Sequence, residues 1–419
     1  MGDGSPSTKA LYATILGLTS PWEVLDVDLQ MGTNEVHITV GVPEKFRWFC
    51  PECQDPLPIH DHRERTWRHL DTCQLRTFIH ARVPRLSCPT HGVRQVRVPW
   101  AEDGSKFTAL FEALVIDWLL EASVTAVAFR LGITWDQAIG IQRRAVKRGQ
   151  ARQKVQVSRY LGIDETSERK GHQYLTIVSD LEESKVLYVG FDRKTETLDE
   201  FWKSRTPEQL AGVIAVAMDM WKPYMNSTWA HLPAAGEMVV FDKFHIVQHL
   251  NKAVDQVRKS EHREFLKVGV GWLKGTKYWW LRNPGKMTIG QRRSFLQLVR
   301  SFALKTGRAW TIAQTFLVLY DYVYLGVVEK RFAEWYRWAR RSHLEPIKKV
   351  ALMIREHWAN IRTYFTHRIT NAGSESINSL IQKVKRKAHG YRNSENFRIA
   401  ILFHLGGLDL YPERLGLRS

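Results

Sequence analysis

Two apolar runs in this 419-residue chain each end on an aspartate. Tyr160-Leu161-Gly162-Ile163 leads into Asp164, and Val213-Ile214-Ala215-Val216-Ala217-Met218 leads into Asp219. Short unbroken apolar runs suit buried strands, so the region around them is expected to form an α/β sheet. A carboxylate at the tip of such a strand is held at the sheet's edge. A third acid, Glu375, stands far downstream in Asn371-Ala372-Gly373-Ser374-Glu375, at the start of a basic, helix-like stretch. Acids brought together repel unless divalent cations sit between them.

The chain is strongly basic, with a formal net charge of +18. Self-repulsion of that size points to a polyanionic partner, and nucleic acid is the expectation. The length suits roughly two to four domains. Hydrophobic residues make up 44% and charged residues 25%, the balance of a globular protein. No apolar run reaches the roughly eighteen residues of a membrane span. No charged segment followed by an apolar core opens the chain, so the cytosol is the expected compartment.

Residues 1–45 alternate apolar and polar around Trp22–Leu29 and Val36–Val40, which predicts a strand pair. Short strands, including Leu75 to Val83, continue to about residue 100. From Lys106 the period becomes helical, with Phe107, Leu110, Phe111, Leu114 and Trp118 on one face. Residues 149–157 are polar and basic and read as a linker. An α/β block follows. Its strands are Tyr160–Ile163, Tyr174–Val178, Val186–Phe191, Val213–Met218 and Met238–Phe241, with Gly171 in a turn and a helix over Leu198–Leu210. From His245 to about Phe365 the sequence is almost wholly helical, and Ile347, Val350, Ala351, Ile354, Trp358, Ile361 and Phe365 recur at helical spacing.

All four cysteines, Cys50, Cys53, Cys73 and Cys88, lie in the first quarter of the chain. Cys50-Pro51-Glu52-Cys53 and Cys88-Pro89-Thr90-His91 form two knuckles, each presenting a ligand pair to one ion. Soft sulfur and nitrogen ligands in two knuckles suit tetrahedral zinc in a closed, structural site. Cys73 fits neither knuckle and is expected to be a small core residue. His60, His62 and His69 are expected at the surface or against phosphates.

Ser123 to Arg148 reads as a helix-turn-helix. Val124, Val127, Ala128 and Leu131 form a short helix, Gly132-Ile133 the turn, and Thr134 caps a second helix from Trp135. Asp136, Gln137, Arg143, Arg144 and Lys147 would face outward, suited to bases and phosphates.

Asp164 and Asp219 are expected side by side on neighbouring strands. Glu375 opens a helix whose buried stripe is Ile377, Leu380, Ile381 and Val384. It lies roughly 200° off Ile377, toward an open site. Acids so placed can hold a pair of metal ions that activate a water or 3′-hydroxyl and stabilise the leaving oxygen. Asp242 also ends an apolar run and is a rival for the second position. Asp219 is preferred because its strand is the one expected beside the first, leaving Asp242 and His245 as supporting residues. Glu165 points the other way along an extended strand. Lys383, Lys385, Arg386, Lys387 and Arg392 follow Glu375 and could bind the scissile strand's phosphates. Tyr278-Trp279-Trp280 is read chiefly as core, with stacking on an unpaired base as the alternative.

The order of these motifs resembles the DDE transposases of bacterial insertion sequences, specifically the ISL-three family. The resemblance rests on a zinc ribbon, a helix-turn-helix, Gly162-Ile163-Asp164-Glu165, Met218-Asp219-Met220-Trp221, Asp242-Lys243-Phe244-His245, and Asn371-Ala372-Gly373-Ser374-Glu375-Ser376-Ile377-Asn378 ending in Gly390-Tyr391-Arg392. It spans residues 45 to 405 or so. It implies a multidomain α/β protein with a ribonuclease-H-like catalytic domain interrupted by an all-helical insertion. It also implies a triad of Asp164, Asp219 and Glu375 holding two magnesium or manganese ions, and one structural zinc on Cys50, Cys53, Cys88 and His91. His91 stands where a cysteine is expected.

On this basis the expected domains are a β-rich zinc-binding domain (1–103), a helix-turn-helix (104–150) and a first part of the catalytic core (151–245). A helical insertion (246–365), a second part of the core (366–405) and a tail (406–419) follow. The implied activity is binding of terminal inverted repeats, cleavage of phosphodiester bonds and joining of the 3′ ends to target DNA. The partner would be double-stranded DNA, the protein a homodimer on it, and the location the bacterial cytoplasm at the nucleoid. An inactive DNA-binding regulator and a structure-specific nuclease of the same fold are the alternatives.

Overall fold

The computed structural model describes residues 7–153, 158–169, 173–282, 287–301 and 304–413. Gly171 and residues 154–157 of the expected linker lie outside them. The described residues form two compact units, one holding those up to 153 together with those from Val384 on, the other running from 158 to Lys383.

The first unit opens with helix α1 (Thr8–Ile15), which the strand reading of this segment missed. Strands β1 (Glu23–Gln30) and β2 (Glu35–Gly41) are the expected antiparallel pair. Strands β3 (Trp48–Phe49) and β4 (Pro56–Leu57) form a small hairpin. Strands β5 (Ile59–Thr72) and β6 (Leu75–Cys88) form a long one, and β7 (Gly92–Gln95) pairs with β6. The larger sheet has the order β1-β2-β6-β5. Its inward residues, among them Val36, Ile38, Ile79 and Val83, pack with Trp22, Trp48, Trp67 and Trp100.

Two expectations in this region are corrected. Cys73 is exposed, not core: it shares with Gln74 the tip of the β5–β6 hairpin, where both have positive φ (50° and 67°). Two such residues give a turn whose twist matches the strands. His69 is buried, not at the surface. Its Nδ1 lies 2.9 Å from the Thr108 hydroxyl, and burial next to Arg68 holds its imidazole down at about 4.

Helices α2 (Ala109–Glu121), α3 (Val124–Leu131) and α4 (Trp135–Arg152) complete this part. Helix α2 buries Phe111, Val115, Ile116 and Leu119, while Leu110, Leu114 and Trp118 of the expected stripe are only half-buried. A helix apolar on most sides does not announce which face goes inward. Helix α4 extends to Arg152, into the expected linker.

The second unit is built on β8 (Tyr160–Arg169), β9 (Gln173–Asp180), β10 (Lys185–Phe191), β11 (Ala215–Met218) and β12 (Val239–Phe241), in the order β10-β9-β8-β11-β12. Strands β8, β11 and β12 are parallel, and β9 and β10 run antiparallel to their neighbours. Between β10 and β11 the expected single helix is two, α5 (Thr195–Lys203) and α6 (Pro207–Ala211). Pro207 has no N–H to continue the ladder, and Thr206 caps the second helix. Helices α7 (Lys222–His231) and α8 (Ala235–Met238) lie between β11 and β12 and were not foreseen.

Strand β8 does not stop at Asp164. It continues five residues further, with Asp164 opposite Ile177 and Thr166 opposite Leu175 of β9. What ends there is the parallel ladder on its other edge, whose last pair is Met218 with Ile163.

Helix α9 (Lys243–Lys267) starts directly after β12 and runs unbroken through the expected boundary at 245. Helices α10 (Lys277–Leu281), α11 (Ile289–Ser301), α12 (Lys305–Leu317), α13 (Leu325–Arg340), α14 (Glu345–Glu356) and α15 (Trp358–His367) follow. Trp280 is buried against Phe295 and donates to Thr276, a core role, while Trp279 and Tyr278 are exposed.

Helix α16 (Ala372–Lys387) buries Ile377, Ile381 and Val384, but Leu380 of the expected stripe is exposed. The division between units falls inside α16, so residues 366–405 are not one piece of a single unit. Helix α17 (Ser394–Leu405) packs on α4, and the segment expected as a tail is seated as far as Glu413. There Arg148 donates to the Leu410 carbonyl and the Tyr411 hydroxyl to Asp117 (2.7 Å). Gly149 is needed for this seat, since a Cβ there would lie 2.6 Å from that of Leu408.

Candidate active site

The parallel strands bring three aspartates to one level. Ile163, Met218 and Phe241 are paired across β8, β11 and β12. Asp164, Asp219 and Asp242 are the next residue on each. The Asp242 N–H still donates to the Met218 carbonyl (3.0 Å). Each carboxylate also takes a nearby backbone N–H: Asp164 from Glu165 (2.8 Å), Asp219 from Met220 (2.6 Å) and Asp242 from Phe244 (3.2 Å). The last contact makes Asp242 the N-cap of α9.

Glu375 comes to this sheet on α16. Ser374 packs on Gly162, the Asn378 amide donates to Asp164 Oδ2 (2.8 Å), and Gln382 donates to the Thr166 hydroxyl (3.0 Å). Four helix residues advance about 6.0 Å and two strand residues about 6.6 Å, so helix and strand stay in step. Gly162, Asp164 and Thr166 therefore share the face covered by α16. Glu165 faces the opposite way and takes two hydrogen bonds from Arg193 (3.1 and 3.2 Å). Glu375 is exposed and lies within one turn of Asn378.

The site is rich in negative charge and poor in cations. Among the described residues, no lysine or arginine forms an ion pair with Asp164, Asp219, Asp242 or Glu375. His245 Nδ1 is 3.4 Å from Asp219 Oδ2. Burial raises the Asp164 carboxyl to about 6, with nearby Glu165 and Asp242 adding to the rise. Burial also raises Asp242, and Glu375 and Asp219 contribute. Oxygen donors of this hardness, left short of positive charge, fit magnesium or manganese. Among the described residues their ligand atoms do not form a group lying within 4.8 Å of one another, as the zinc ligands do.

The zinc ligands come from two hairpins, Cys50 and Cys53 beside the β3–β4 pair and Cys88 and His91 at the β6–β7 turn. Their ligand atoms all lie within 4.8 Å of one another. Cys53 Sγ is 3.7 Å from Cys88 Sγ, and His91 Nδ1 is 3.4 Å from Cys88 Sγ and 3.8 Å from Cys50 Sγ. Tetrahedral zinc requires separations of about 3.5–3.8 Å, so the set fits the ion as it stands. The backbone N–H of Cys53 pulls the Cys50 thiol down to about 6, toward the thiolate that zinc takes. The other nitrogen of His91 lies 3.8 Å from Glu52, an orienting carboxylate.

In the helix-turn-helix, Gly132 is left-handed (φ 62°) and Thr134 caps α4. Gln137 closes the capping box by accepting from the Thr134 N–H (2.8 Å). Arg144 donates to the buried Glu112 (3.0 Å), as does Arg148 (3.1 Å). Arg143 is exposed, with a hydrogen bond to Asn396 (3.1 Å), and Lys147 is exposed. Gln137 and Arg144 are thus engaged within the domain's own frame. Lys383, Arg386 and Arg392 are exposed, and Lys385 is half-buried. Lys387 donates to the Leu120 carbonyl (2.7 Å) at the end of α2.

Asn378 is the site residue that sequence reasoning passed over. Its signal was present, three residues beyond Glu375 in the same motif, but nothing local showed what the amide would meet.

Comparisons with known proteins agree with this layout. Residues 161–401 match the family model described as transposase, of the ISL3 group. Residues 47–91 match the zinc-finger of transposase IS204/IS1001/IS1096/IS1165, and 96–146 the helix-turn-helix domain of transposase family ISL3. The chain is 25% identical over 367 residues to the transposase for insertion sequence element IS1557 of Mycobacterium tuberculosis, covering 82% of each. It is 25% identical over 348 residues to the transposase for insertion sequence element IS1001 of Bordetella parapertussis, covering 82% of this chain and 85% of the relative. No described helix is long and apolar enough to cross a membrane.

Proposed function

Because this chain belongs to the ISL3 family of transposases, with a zinc ribbon and a helix-turn-helix DNA-binding domain, we propose that it cuts and rejoins DNA at the acidic sheet edge. The observation that carries this reading is the shared level of the aspartates on the parallel strands, with α16 holding Glu375 beside them. Asp164, Asp219 and Glu375 would hold two magnesium or manganese ions. Such ions, when bound, favour the attacking oxygen's ionised form and offset charge on the leaving oxygen. Asp242 caps α9 and so sets the place of His245, which restrains Asp219.

The strand order and the parallel β8, β11 and β12 support a ribonuclease-H-like core. The helices from His245 to about Phe365 would then be an insertion between β12 and α16. The reaction is two in-line displacements at phosphorus. Water first breaks a phosphodiester bond and leaves a 3′-hydroxyl at the element's end. That hydroxyl then attacks a target phosphodiester and releases a target 3′ oxygen. Arg143 and Lys147 suit recognition of terminal inverted repeats. Lys383, Lys385, Arg386, Lys387 and Arg392 suit the backbone of the cleaved strand. Cutting two ends calls for two active sites, so a homodimer on DNA is the expected assembly, in the bacterial cytoplasm at the nucleoid.

The test is strand cleavage on end-containing DNA. Asp219→Ala should abolish cleavage and leave end binding intact. Cleavage that survives Asp219→Ala but not Asp242→Ala would overturn the triad. Freed 3′ ends that never join a target would favour a nuclease.

A further inference from the structure

The geometry points to Asn378 as a positioning residue that fixes the Asp164 carboxylate and ties it to the helix bearing Glu375. The inference rests on reading Asp164 as a cation ligand. Asn378 Nδ2 is 2.8 Å from Asp164 Oδ2 and 3.3 Å from the Glu165 carbonyl oxygen. Both amide protons therefore have acceptors on β8. A flipped amide would set its oxygen against those two acceptors, so the network fixes the orientation. Asp164 Oδ1 takes the Glu165 N–H (2.8 Å). Each carboxylate oxygen thus has one donor and keeps lone pairs free for a cation.

The choice of an amide has a physical reason. A lysine or arginine could hold the same oxygen, but its charge would compete with the cation. Asn378 donates without charge and leaves the site's negative charge whole. Among the described residues, the Asn378 carbonyl oxygen is buried without a hydrogen-bond partner, as is that of Asn371, the residue just before α16. Glu375 stands between the two asparagines, so the Asn378 contact also sets how near α16 brings Glu375 to Asp164.

The experiment is titration of the full-length, zinc-loaded protein with manganese, reading the free ion by electron paramagnetic resonance. Asn378→Leu keeps the volume and removes the donor. It should weaken manganese binding about tenfold to a hundredfold, with zinc content unchanged. Asn378→Gln keeps a donor and should recover part of the loss. If Asn378→Leu does not fold, Asn378→Ala takes its place. Manganese affinity within twofold of the unaltered protein, or equal loss in the Gln and Leu variants, would overturn the positioning role. Asp164→Asn is the control for the underlying reading. If it too retains manganese, the acidic site is wrong; if it alone loses manganese, only the role of Asn378 fails.

Discussion

A Cβ on Gly162 would lie 2.2 Å from the Ser374 hydroxyl oxygen, 2.7 Å from Leu181 Cδ2 and 2.9 Å from Ser179 Oγ. Position 162 therefore has no room for a side chain beneath the Glu375 helix. Gly162→Ala must push α16 outward or strain three neighbours, a cost of about 1–3 kcal/mol. Cleavage should fall far more than stability, because Glu375 moves with the helix. Adding Ser374→Gly removes the nearest clash and should restore part of both. Thermal melting and a cleavage assay on the same preparations check this.

Burial raises Asp164 to about 6 from the roughly 3.9 of an unfolded chain. The folded state therefore holds that proton more tightly. In magnesium-free, zinc-replete buffer its stabilising effect is complete below about pH 4 and is lost as pH rises through about 6. Asp164→Asn should be more stable than the unaltered protein at pH 7.5, by on the order of 2 kcal/mol, and no more stable near pH 4. Magnesium should close that gap at pH 7.5, since the cation replaces the proton. Urea melts at the two pH values, with and without magnesium, are the measurement.

The zinc set fits the ion with His91 as the fourth ligand. His91→Cys should therefore keep one zinc per chain. Cys88→Ser should lose it, together with the fold of the ribbon and end binding. Cys73→Ser should change nothing, because Cys73 sits exposed at a hairpin tip. Metal content by plasma mass spectrometry separates these outcomes.

Two neighbouring basic residues of α4 should behave differently. Arg144 pairs with Glu112, which is 1% exposed, so Arg144→Ala weakens a buried pair and should lower the melting temperature. Lys147 is exposed, so Lys147→Ala should leave melting unchanged. If Lys147 meets a phosphate, its loss should reduce the salt dependence of DNA binding by about one counterion. Melting curves and binding isotherms at several salt concentrations decide the matter.

The zinc ribbon, the helix-turn-helix and the aspartates that follow apolar runs were legible because their signals are local. Knuckle spacing names four ligands, Ser123 and Thr134 announce helix starts, and an apolar run that meets an acid marks where a buried edge ends. Less legible were features that depend on a distant partner. Asp164 looked like the end of a strand, yet β9 carries β8 onward and only β11 stops. Cys73 looked like core because a small thiol usually is, but the hairpin's length puts it at the tip. The helix over Leu198–Leu210 hid a break that Pro207 could have signalled.

Residue chemistry alone determined that this chain binds zinc, carries a DNA-reading module and offers acids suited to divalent cations. It also tied those parts to one family through their order. The tertiary structure decided which acids share a sheet edge. Asp164, Asp219 and Asp242 share a level because β8, β11 and β12 pair in one register, and a register is a relation between segments that neither contains. In the same way Asn378 reaches Asp164, and Arg144 is taken by Glu112, only because packing brings together residues 214 and 32 positions apart.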